Sequence, residues 1–332
     1  MSWQIGPYQF PNNLVLAPMA GVTDRPFRQL CRSLGAGMTV SEMVSSKPEL
    51  RTTRKSRLRT NHQGEPGPII VQIAGTDPAV MADAAQYNVD QGAQIIDINM
   101  GCPAKKVCKV EAGSALMKNE DKVKKILHAV VNAVSVPVTL KIRTGWDSAN
   151  KNSPRIAAIA AECGIQAITI HGRTRADKYH GAAEYDMIRL IKQQVLIPVI
   201  ANGDIDCAKK ARTVIDFTGA DAIMVGRAAQ HKPWIFKQID HYLKTGIELA
   251  EPDLTYRKKW LTQHLQNLYD FYGEMQGLQI ARKHIKWQLG QHGIYQAHYK
   301  NLMMFSESPT KQIGLIEQFF DQLHGDLLDR AC

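Results

Sequence analysis

Long apolar runs, paired cysteines and glycine-rich nucleotide motifs are all missing from this chain of 332 residues. A membrane-spanning helix needs about 20 mostly apolar residues in a row, and no segment has that pattern. The first residues lack the basic start and apolar core of a secretory signal, so we expect a cytoplasmic protein. The six cysteines form no Cys-x-x-Cys pair, which argues against a zinc site or a disulfide framework, and we expect no metal.

The charge of the chain is shifted toward basic residues. There are 41 Lys and Arg against 31 Asp and Glu, which gives a formal net charge of +10. This excess favours a polyanionic partner but does not identify it, because an anionic membrane surface would be attracted as well. Hydrophobic residues make up 44% and charged residues 22%, which is typical of a globular protein with a full core.

Eight short apolar segments alternate with longer amphipathic segments up to about residue 226. The segments are continuously apolar, as parallel strands with both faces buried are. Eight such βα repeats predict a (β/α)8 TIM barrel of the α/β class. A doubly wound open sheet is the alternative, but no glycine-rich dinucleotide motif follows the first strand. The predicted strands span 14–19, 38–43, 68–74, 94–100, 137–144, 166–174, 197–204 and 220–227.

The strand pattern stops near residue 243, and mostly helix-period sequence follows a linker-like segment. We therefore predict a catalytic barrel domain over 1–243 and a small all-helical C-terminal domain over 244–332. Two long connections, 44–67 and 101–118, follow the second and fourth predicted strands. Barrel enzymes keep their active sites at this face of the barrel.

Polar side chains stand at the C-terminal ends of the predicted strands, where they would face a shared pocket. Unpaired polar groups are costly inside a barrel, so their number indicates a ligand. The loops after the last two strands commonly bind phosphate, and Gly203, Gly226 and Arg227 suit that role. FMN, pyridoxal phosphate and a sugar phosphate all remain compatible. The other strand-end residues are Gln72, Asn99, Lys141, Arg143, His171, Arg173, Asn202 and Asp204.

Two of these positions could take part directly in chemistry. Lys141 could form a Schiff base or place a fixed positive charge beside an anionic cofactor, and the residues alone do not decide. Cys102 lies after the fourth strand, and Lys105 and Lys106 follow it. We expect these lysines to lower the pKa of the thiol, which would act as a nucleophile or a proton donor. The alternative is that Cys102 is a buried apolar residue.

Eight segments in order through the barrel resemble the tRNA-dihydrouridine synthase family, with particular similarity to its bacterial B-type members. They read APMAGVTDRPFR, VQIAGTDP, DINMGCPAKKV, AGSALM, LKIRTGW, TIHGRTR, VIANGDI and MVGRAAQHKPWIF. The C-terminal ARKHIKW resembles the helical domain of that family. The resemblance covers nearly the whole chain, and NMGCP is its most specific part.

This resemblance implies an FMN-bound barrel that reduces the C5–C6 double bond of a tRNA uridine, with NADPH as reductant. By analogy the target is a D-loop uridine, at position 17 of the tRNA. Cys102 is the implied proton donor, Asn99 and Arg173 hold the uracil, and Lys141 stabilises the anionic flavin. The base must be extruded from the folded RNA to reach the pocket. The implied flavin-binding residues are Pro18, Met19, Ala20, Gln72, Lys141, His171, Asn202, Gly203, Asp204, Gly226 and Arg227.

Three basic clusters are candidates for phosphate contacts with tRNA. The insertion cluster is Arg51, Arg54, Lys55, Arg57 and Arg59, the linker cluster is Arg257, Lys258 and Lys259, and the helix cluster is Arg282, Lys283 and Lys286.

One segment departs from the pattern of the family. Glu111 is unfavourable beside an RNA path, and Cys108 has no assigned role. Three other functions stay open: a flavin barrel acting on a free pyrimidine, a non-catalytic RNA-binding protein, and a Schiff-base lyase. We expect a monomer that needs no membrane and no obligate protein partner.

Overall fold

The computed structural model describes residues 3–290, 292–293 and 295–329, with side chains described up to residue 324. The chain divides into two compact units. The first contains Met1–Ala229 and Ile235–Ile247, and the second contains Gln230–Trp234 and Glu248–Cys332. None of the described helices is both long and apolar enough to cross a membrane.

The first unit is built on one sheet of nine parallel strands, in the order β4-β3-β11-β10-β9-β8-β7-β6-β5. Its strands are continuously buried, as the apolar sequence runs require. The strands are β1 Trp3–Ile5, β2 Tyr8–Phe10, β3 Leu14–Leu16, β4 Met38–Thr39, β5 Val44–Ser45, β6 Ile70–Ala74, β7 Ile95–Met100, β8 Val138–Arg143, β9 Ala167–His171, β10 Val199–Asn202 and β11 Ala222–Val225.

A single chain segment closes this sheet into a barrel. Strands β4 and β5 both belong to the second predicted strand and its continuation, and they pair with β3 and β6 respectively. Between them the N–H of Ser41 donates to the carbonyl of Ile70 at 3.0 Å. The two edges of the sheet are thereby joined, and the predicted (β/α)8 barrel with its eight strand positions is confirmed.

The N-terminal end of the barrel is filled by a hairpin that the sequence did not predict. Strands β1 and β2 pair antiparallel, and Trp3 stacks on Phe10 with ring centroids 4.9 Å apart. These rings share a buried cluster with residues at the strand starts, such as Ile70 and Ile95. The polar pocket therefore lies at the opposite end, where the strands finish.

Helices cover the barrel outside and form the second unit. Asp77 caps α3, because its carboxylate accepts the N–H of Val80 at 3.0 Å with Pro78 at the first position. In the first unit the α-helices include α1 Arg25–Ser33, α2 Arg54–Arg59, α3 Pro78–Asp90, α4 Lys105–Lys109, α5 Glu120–Ala133, α6 Ser153–Glu162, α7 Asp186–Gln194, α8 Ala208–Thr218, α9 Ala228–His231 and α10 Ile235–Thr245, with α9 running into the second unit. The second unit contains α11 Leu254–Tyr272, α12 Glu274–Leu289, α13 Lys300–Met304 and α14 Pro309–Asp329.

The helical C-terminal region predicted from the sequence is thus confirmed. Its buried apolar residues include Leu265, Leu268, Ile285 and Phe319. Helix α11 packs against both α12 and α14.

Candidate active site

The polar residues predicted at strand ends lie on neighbouring strands at matching heights. Asn99 on β7 pairs in register with Lys141 on β8, and His171 on β9 pairs with Asn202 on β10. Gln72 on β6 pairs in register with Asp97 on β7, which is two residues before Asn99. The barrel thus brings together side chains that are far apart in sequence.

A buried carboxylate beneath this level anchors two amide side chains. Asp97 accepts hydrogen bonds from Thr139 at 2.6 Å and from the amide nitrogen of Gln72 at 2.7 Å. The amide oxygen of Gln72 in turn accepts from Asn99 at 2.7 Å. Burial raises the pKa of Asp97, although these hydrogen bonds and the charge of Lys141 oppose the shift. The network fixes the orientation of the Gln72 and Asn99 amides.

Asp97 was not among the residues singled out from the sequence. A usable signal existed, because it stands two positions before Asn99 in the apolar strand IIDINM. Residues i and i+2 of a strand share a face, so both side chains had to point into the barrel.

Asn99 also holds the backbone that carries Cys102. Its amide oxygen accepts the N–H of Gly101 at 3.2 Å and the N–H of Cys102 at 3.0 Å. The carbonyl of Gly101 accepts from the guanidinium of Arg143 at 2.8 Å. One of the two N–H groups of Asn99 donates to Gln72, which leaves the other for a ligand.

The expectation that basic neighbours lower the pKa of the Cys102 thiol is wrong. The thiol is half-buried, and burial raises its pKa more than the positive charges of Arg143 and Lys141 lower it. Lys105 and Lys106 are exposed on α4 and are not among the groups that shift it. The thiol is therefore protonated at neutral pH, which suits a proton donor and not a thiolate nucleophile.

Lys141 lies near the C-terminal end of β8, among the polar residues at the strand ends. Its ammonium donates to the side-chain oxygen of Asn202 at 3.0 Å, and the amide nitrogen of Asn202 donates to the carbonyl of Met224 at 2.8 Å. Burial, followed by the charge of Arg143, lowers the pKa of Lys141 to about 8. The amine is mostly protonated at pH 7, and its other two N–H groups can serve a ligand.

Several cations converge on His171. Burial lowers its pKa to about 2, and Lys141, Arg143, Arg173 and Arg227 all contribute to the shift. The imidazole is therefore neutral at physiological pH and binds through hydrogen bonds, not charge. Burial, the largest cause, disfavours charge of either sign, whereas the four surrounding cations favour an anionic ligand.

The loop after β10 is organised around Asp204. Its carboxylate accepts two bonds from Arg173, one of them at 2.8 Å, and a third from Arg227 at 3.0 Å. Burial would raise the pKa of Asp204, but the hydrogen bonds from Arg173 hold it below its usual value. The guanidinium of Arg173 also donates to the carbonyls of His180 and Gly181 and contacts His171. Four of its five N–H groups thus donate to oxygens of the protein, and the fifth faces the Nε2 of His171 at 3.4 Å.

Gly203 precedes Asp204 in a conformation that requires glycine. Its φ is +133°, and a Cβ there would lie 2.6 Å from the Cβ of Ala183 and 3.3 Å from the ring of His171. The loop after β11 is less confined, because a Cβ on Gly226 would meet only Ala17 and Met19 at 3.8 Å. Gly203 is buried, whereas Gly226 is half-buried.

The connection after β3 runs alongside this loop, since β3 pairs with β11. Pro18 and Met19 are half-buried and Ala20 is exposed. The N–H of Met19 is held by the Thr23 hydroxyl at 2.9 Å. The three residues therefore border the strand ends that carry Gly226 and Arg227.

Tyr179 is a site residue that the sequence did not reveal. The residue is 54% exposed, and the guanidinium carbons of Arg143 and Arg227 lie 5.6 and 4.9 Å from the centroid of its ring. The His171 ring is 6.2 Å away. Tyr179 lies in a loop without strand or helix periodicity, so only its chain proximity to TIHGRTR could have suggested it.

The three basic clusters are only partly exposed. In the insertion cluster, Arg51 pairs with Asp83 and Arg59 donates to the carbonyl of Met43, whereas Arg54, Lys55 and Arg57 are exposed. In the linker cluster, Arg257 covers Trp234, Lys258 pairs with Asp321 at 2.7 Å, and Lys259 is exposed.

The helix cluster lies on α12, as predicted. Arg282 and Lys286 are one turn apart, so their side chains share a face of the helix. Lys286 is exposed and Arg282 is half-buried. Lys283 lies over the ring of Trp287, with its nitrogen 5.9 Å from the centroid.

The two unexplained residues of the 101–118 segment have local contacts. The carboxylate of Glu111 lies 3.3 Å from Lys122, which offsets its charge. The Cys108 sulfur lies 3.6 Å from the carbonyl of Cys102 and 3.5 Å from the Ser114 hydroxyl.

This geometry defines a class of protein. It is a TIM barrel whose strand ends form a cationic, hydrogen-bonding pocket, with the protonated thiol of Cys102 beside it. A sequence model of the family described as "Dihydrouridine synthase (Dus)" matches residues 15–324. The chain belongs to this family of enzymes.

Full-length relatives agree with that assignment. The chain is 56% identical to the tRNA-dihydrouridine synthase B of Shewanella oneidensis, over 96% of this chain and 99% of the relative. It is 57% identical to the protein of the same name from Escherichia coli K12, again over 96% and 99%. The Pseudomonas aeruginosa protein of that name is 63% identical over 86% of each chain.

Proposed function

We propose that this protein is an FMN-dependent tRNA-dihydrouridine synthase that uses NADPH to reduce the C5–C6 double bond of a D-loop uridine. The observation that carries the proposal is a protonated thiol, Cys102, at the mouth of a pocket lined by Lys141, His171, Asn202 and Arg227. The names of the relatives supply tRNA as substrate, and by analogy the target is position 17 of the tRNA.

The donor set of the pocket fits FMN. Lys141 has two unused N–H groups and a positive charge at the strand ends, where an anionic flavin ring would gain most from them. Arg227, with a side chain 53% exposed, and the backbone at Gly203 and Gly226 would hold the phosphate. When bound in its reduced form, FMN would supply the hydride for C6 of the uracil, and NADPH would supply the electrons that restore it. Other flavin contacts are assigned to Pro18, Met19, Ala20, Gln72, His171, Asn202 and Asp204.

Cys102 completes the reduction by protonating C5. Hydride addition at C6 leaves negative charge on C5 and O4 of the base. The S–H bond of Cys102 breaks as the C5–H bond forms, and the thiolate then takes a proton from water. The backbone N–H of Ala104 stabilises the thiolate most, followed by the charges of Arg143 and Lys141, since these three groups lower the pKa of Cys102.

Asn99 binds the uracil directly, whereas Arg173 supports the site around it. The second N–H of Asn99 is available to a carbonyl oxygen of the base. Arg173 donates four hydrogen bonds to protein oxygens, so we assign it to fixing Asp204 and the loop at His180 and Gly181. Tyr179 and Arg143 border the same opening and add a surface on which a base can stack.

The helical unit and the exposed lysines and arginines bind tRNA phosphates. Arg282, Lys283 and Lys286 on α12 provide the principal contacts, with Arg54, Lys55 and Arg57 as a second set. Such contacts orient the RNA and do not read its sequence. We propose that the protein is a monomer and that it acts in the cytoplasm.

The decisive experiment is reduction of unmodified tRNA by the purified protein. We expect a yellow protein with flavin absorption that forms dihydrouridine from tRNA and NADPH, and far less from free uridine. Equal activity on free uridine would favour a free-pyrimidine reductase. A colourless protein that binds tRNA would favour a non-catalytic RNA-binding role, and borohydride trapping of substrate on Lys141 would favour a lyase.

A further inference from the structure

The carbonyl oxygen of Cys102 is held by the chain segment that follows it. The backbone N–H of Ser114 lies 3.1 Å from this oxygen and the Ser114 hydroxyl lies 2.9 Å from it. The Cys108 thiol makes a weaker contact at 3.6 Å. Ser114 is completely buried, so its hydroxyl is committed to this one carbonyl and to Cys108.

Gly113 allows this approach. Its φ is +62°, and a Cβ there would lie 2.8 Å from the carbonyl oxygen of Cys102 and 3.1 Å from its Cβ. Residues 113 and 114 therefore pack directly against the backbone of Cys102. The side chain of Asn99 accepts the N–H of Cys102 on the other side. The backbone N–H and the backbone carbonyl of Cys102 are therefore both held by hydrogen bonds.

We propose that Ser114 is a positioning residue for Cys102, because its hydroxyl and N–H fix the carbonyl and thereby the direction of the thiol. The inference rests on the proposed function, in which that thiol protonates C5 of the uracil. Proton transfer needs donor and acceptor within hydrogen-bond reach. A displacement of about 1 Å can slow such a step roughly a hundredfold.

The competing explanation is that Ser114 only stabilises the fold of the 101–118 segment. A matched control is Ser153, which is also completely buried in the barrel unit but whose hydroxyl has no partner among the described residues. Loss of a buried hydroxyl is common to Ser114→Ala and Ser153→Ala, whereas loss of the contact with Cys102 is particular to the first.

The experiment compares FMN-loaded wild type, Ser114→Ala, Ser114→Cys, Ser153→Ala, Cys102→Ala and the double variant Cys102→Ala/Ser114→Ala. Three rates are measured: flavin reduction by NADPH, dihydrouridine formation in a single turnover with unmodified tRNA, and alkylation of Cys102 by iodoacetamide as a function of pH. Mass spectrometry identifies the alkylated residue.

We expect Ser114→Ala to slow dihydrouridine formation roughly tenfold to a hundredfold. We also expect it to change the pH dependence of the rate at which iodoacetamide alkylates Cys102. Flavin reduction should stay within about twofold, because Ser114 does not contact the flavin pocket. Ser114→Cys, which keeps a weak donor, should fall between Ser114→Ala and the wild type. In the Cys102→Ala background the Ser114 substitution should have no further effect, since positioning acts through the thiol.

Equal rates and equal alkylation in Ser114→Ala and Ser153→Ala would overturn the inference. So would a further loss of product when Ser114→Ala is added to Cys102→Ala. Where Cys102→Ala forms no measurable product, the alkylation profile decides. Failure of the wild type to form dihydrouridine would instead refute the proposed function.

Discussion

The side-chain oxygen of Asn99 accepts the backbone N–H of Cys102 at 3.0 Å, while its nitrogen donates to Gln72 at 2.7 Å. One amide thus links the loop that carries the thiol to the buried network on Asp97. The thiol gains a fixed backbone from the rigid barrel, although it lies on a connection and not on a strand. This arrangement leads to the first prediction.

Asn99→Ala should slow dihydrouridine formation by about two orders of magnitude, because both the Cys102 backbone and the uracil lose a partner. Flavin reduction by NADPH should change little. Stopped-flow absorbance of the flavin, with and without tRNA, separates the two half-reactions. Asn132→Ala, on the exposed face of α5, is the control. Turnover of Asn99→Ala within twofold of the wild type would contradict the assignment.

Gly203→Ala should weaken FMN binding. The added methyl group would lie 2.6 Å from the Cβ of Ala183, and alanine is strained at a φ of +133°. The flavin content of the purified protein, read from its visible absorption, measures the effect. Gly314→Ala, on a helical position of α14 with nothing within 4 Å, should keep full flavin content. Full flavin content in both variants would show that the turn at Gly203 is not part of the cofactor site.

Acid should destabilise the protein through a buried histidine pair in the helical unit. His264 and His284 lie 3.1 Å apart, and burial lowers the pKa of His264 to about 3 and that of His284 well below its usual value. Both pKa values are lower in the folded than in the unfolded chain. Their stabilising contribution is therefore complete above about pH 6.5 and is lost as the pH falls.

For each of these histidines the free energy of unfolding should fall by up to about 1.4 kcal/mol per pH unit below that point. Urea unfolding between pH 7 and pH 5 measures the slope. The double variant His264→Gln/His284→Gln should show a shallower slope than the wild type, whereas His128→Gln, on an exposed position of α5, should not. Identical slopes in all three proteins would rule out this source of acid sensitivity.

Arg282→Ala with Lys286→Ala should weaken tRNA binding and reduce its salt dependence, while FMN stays bound. Each lost phosphate contact should lower the slope of log K against log salt by roughly 0.9. Binding titrations at several salt concentrations measure this slope. Lys124→Ala with Lys125→Ala removes the same charge from exposed positions of α5 and is the control. Equal losses in both variants would indicate a general charge effect and not a contact surface.

The barrel strands were predictable because each is buried on both faces and reads as a continuous apolar run. The β1–β2 hairpin was missed because a glutamine interrupts each of its short strands, so neither reads as an apolar run. The strand-end residues Lys141, His171 and Asn202 were predictable from barrel geometry alone. Tyr179 was not, since it lies on a loop whose path follows from contacts with Arg143 and Arg173.

The error over Cys102 shows why sequence neighbours are a poor guide to electrostatics. Lys105 and Lys106 follow the thiol in the chain, but α4 places them at the surface. The positive charges that lower the pKa of the thiol come from Lys141 and Arg143, about forty residues away on β8. Burial outweighs them, and a one-dimensional sequence carries no direct record of burial.

The most direct test of the account is a single turnover of pre-reduced Cys102→Ala with unmodified tRNA, compared with the wild type and Cys108→Ala. We expect both the wild type and Cys108→Ala to convert reduced flavin into dihydrouridine. Cys102→Ala should still be reduced by NADPH but should yield little dihydrouridine, because no acid is present to protonate C5. Dihydrouridine formation by Cys102→Ala at the wild-type rate would contradict the central claim.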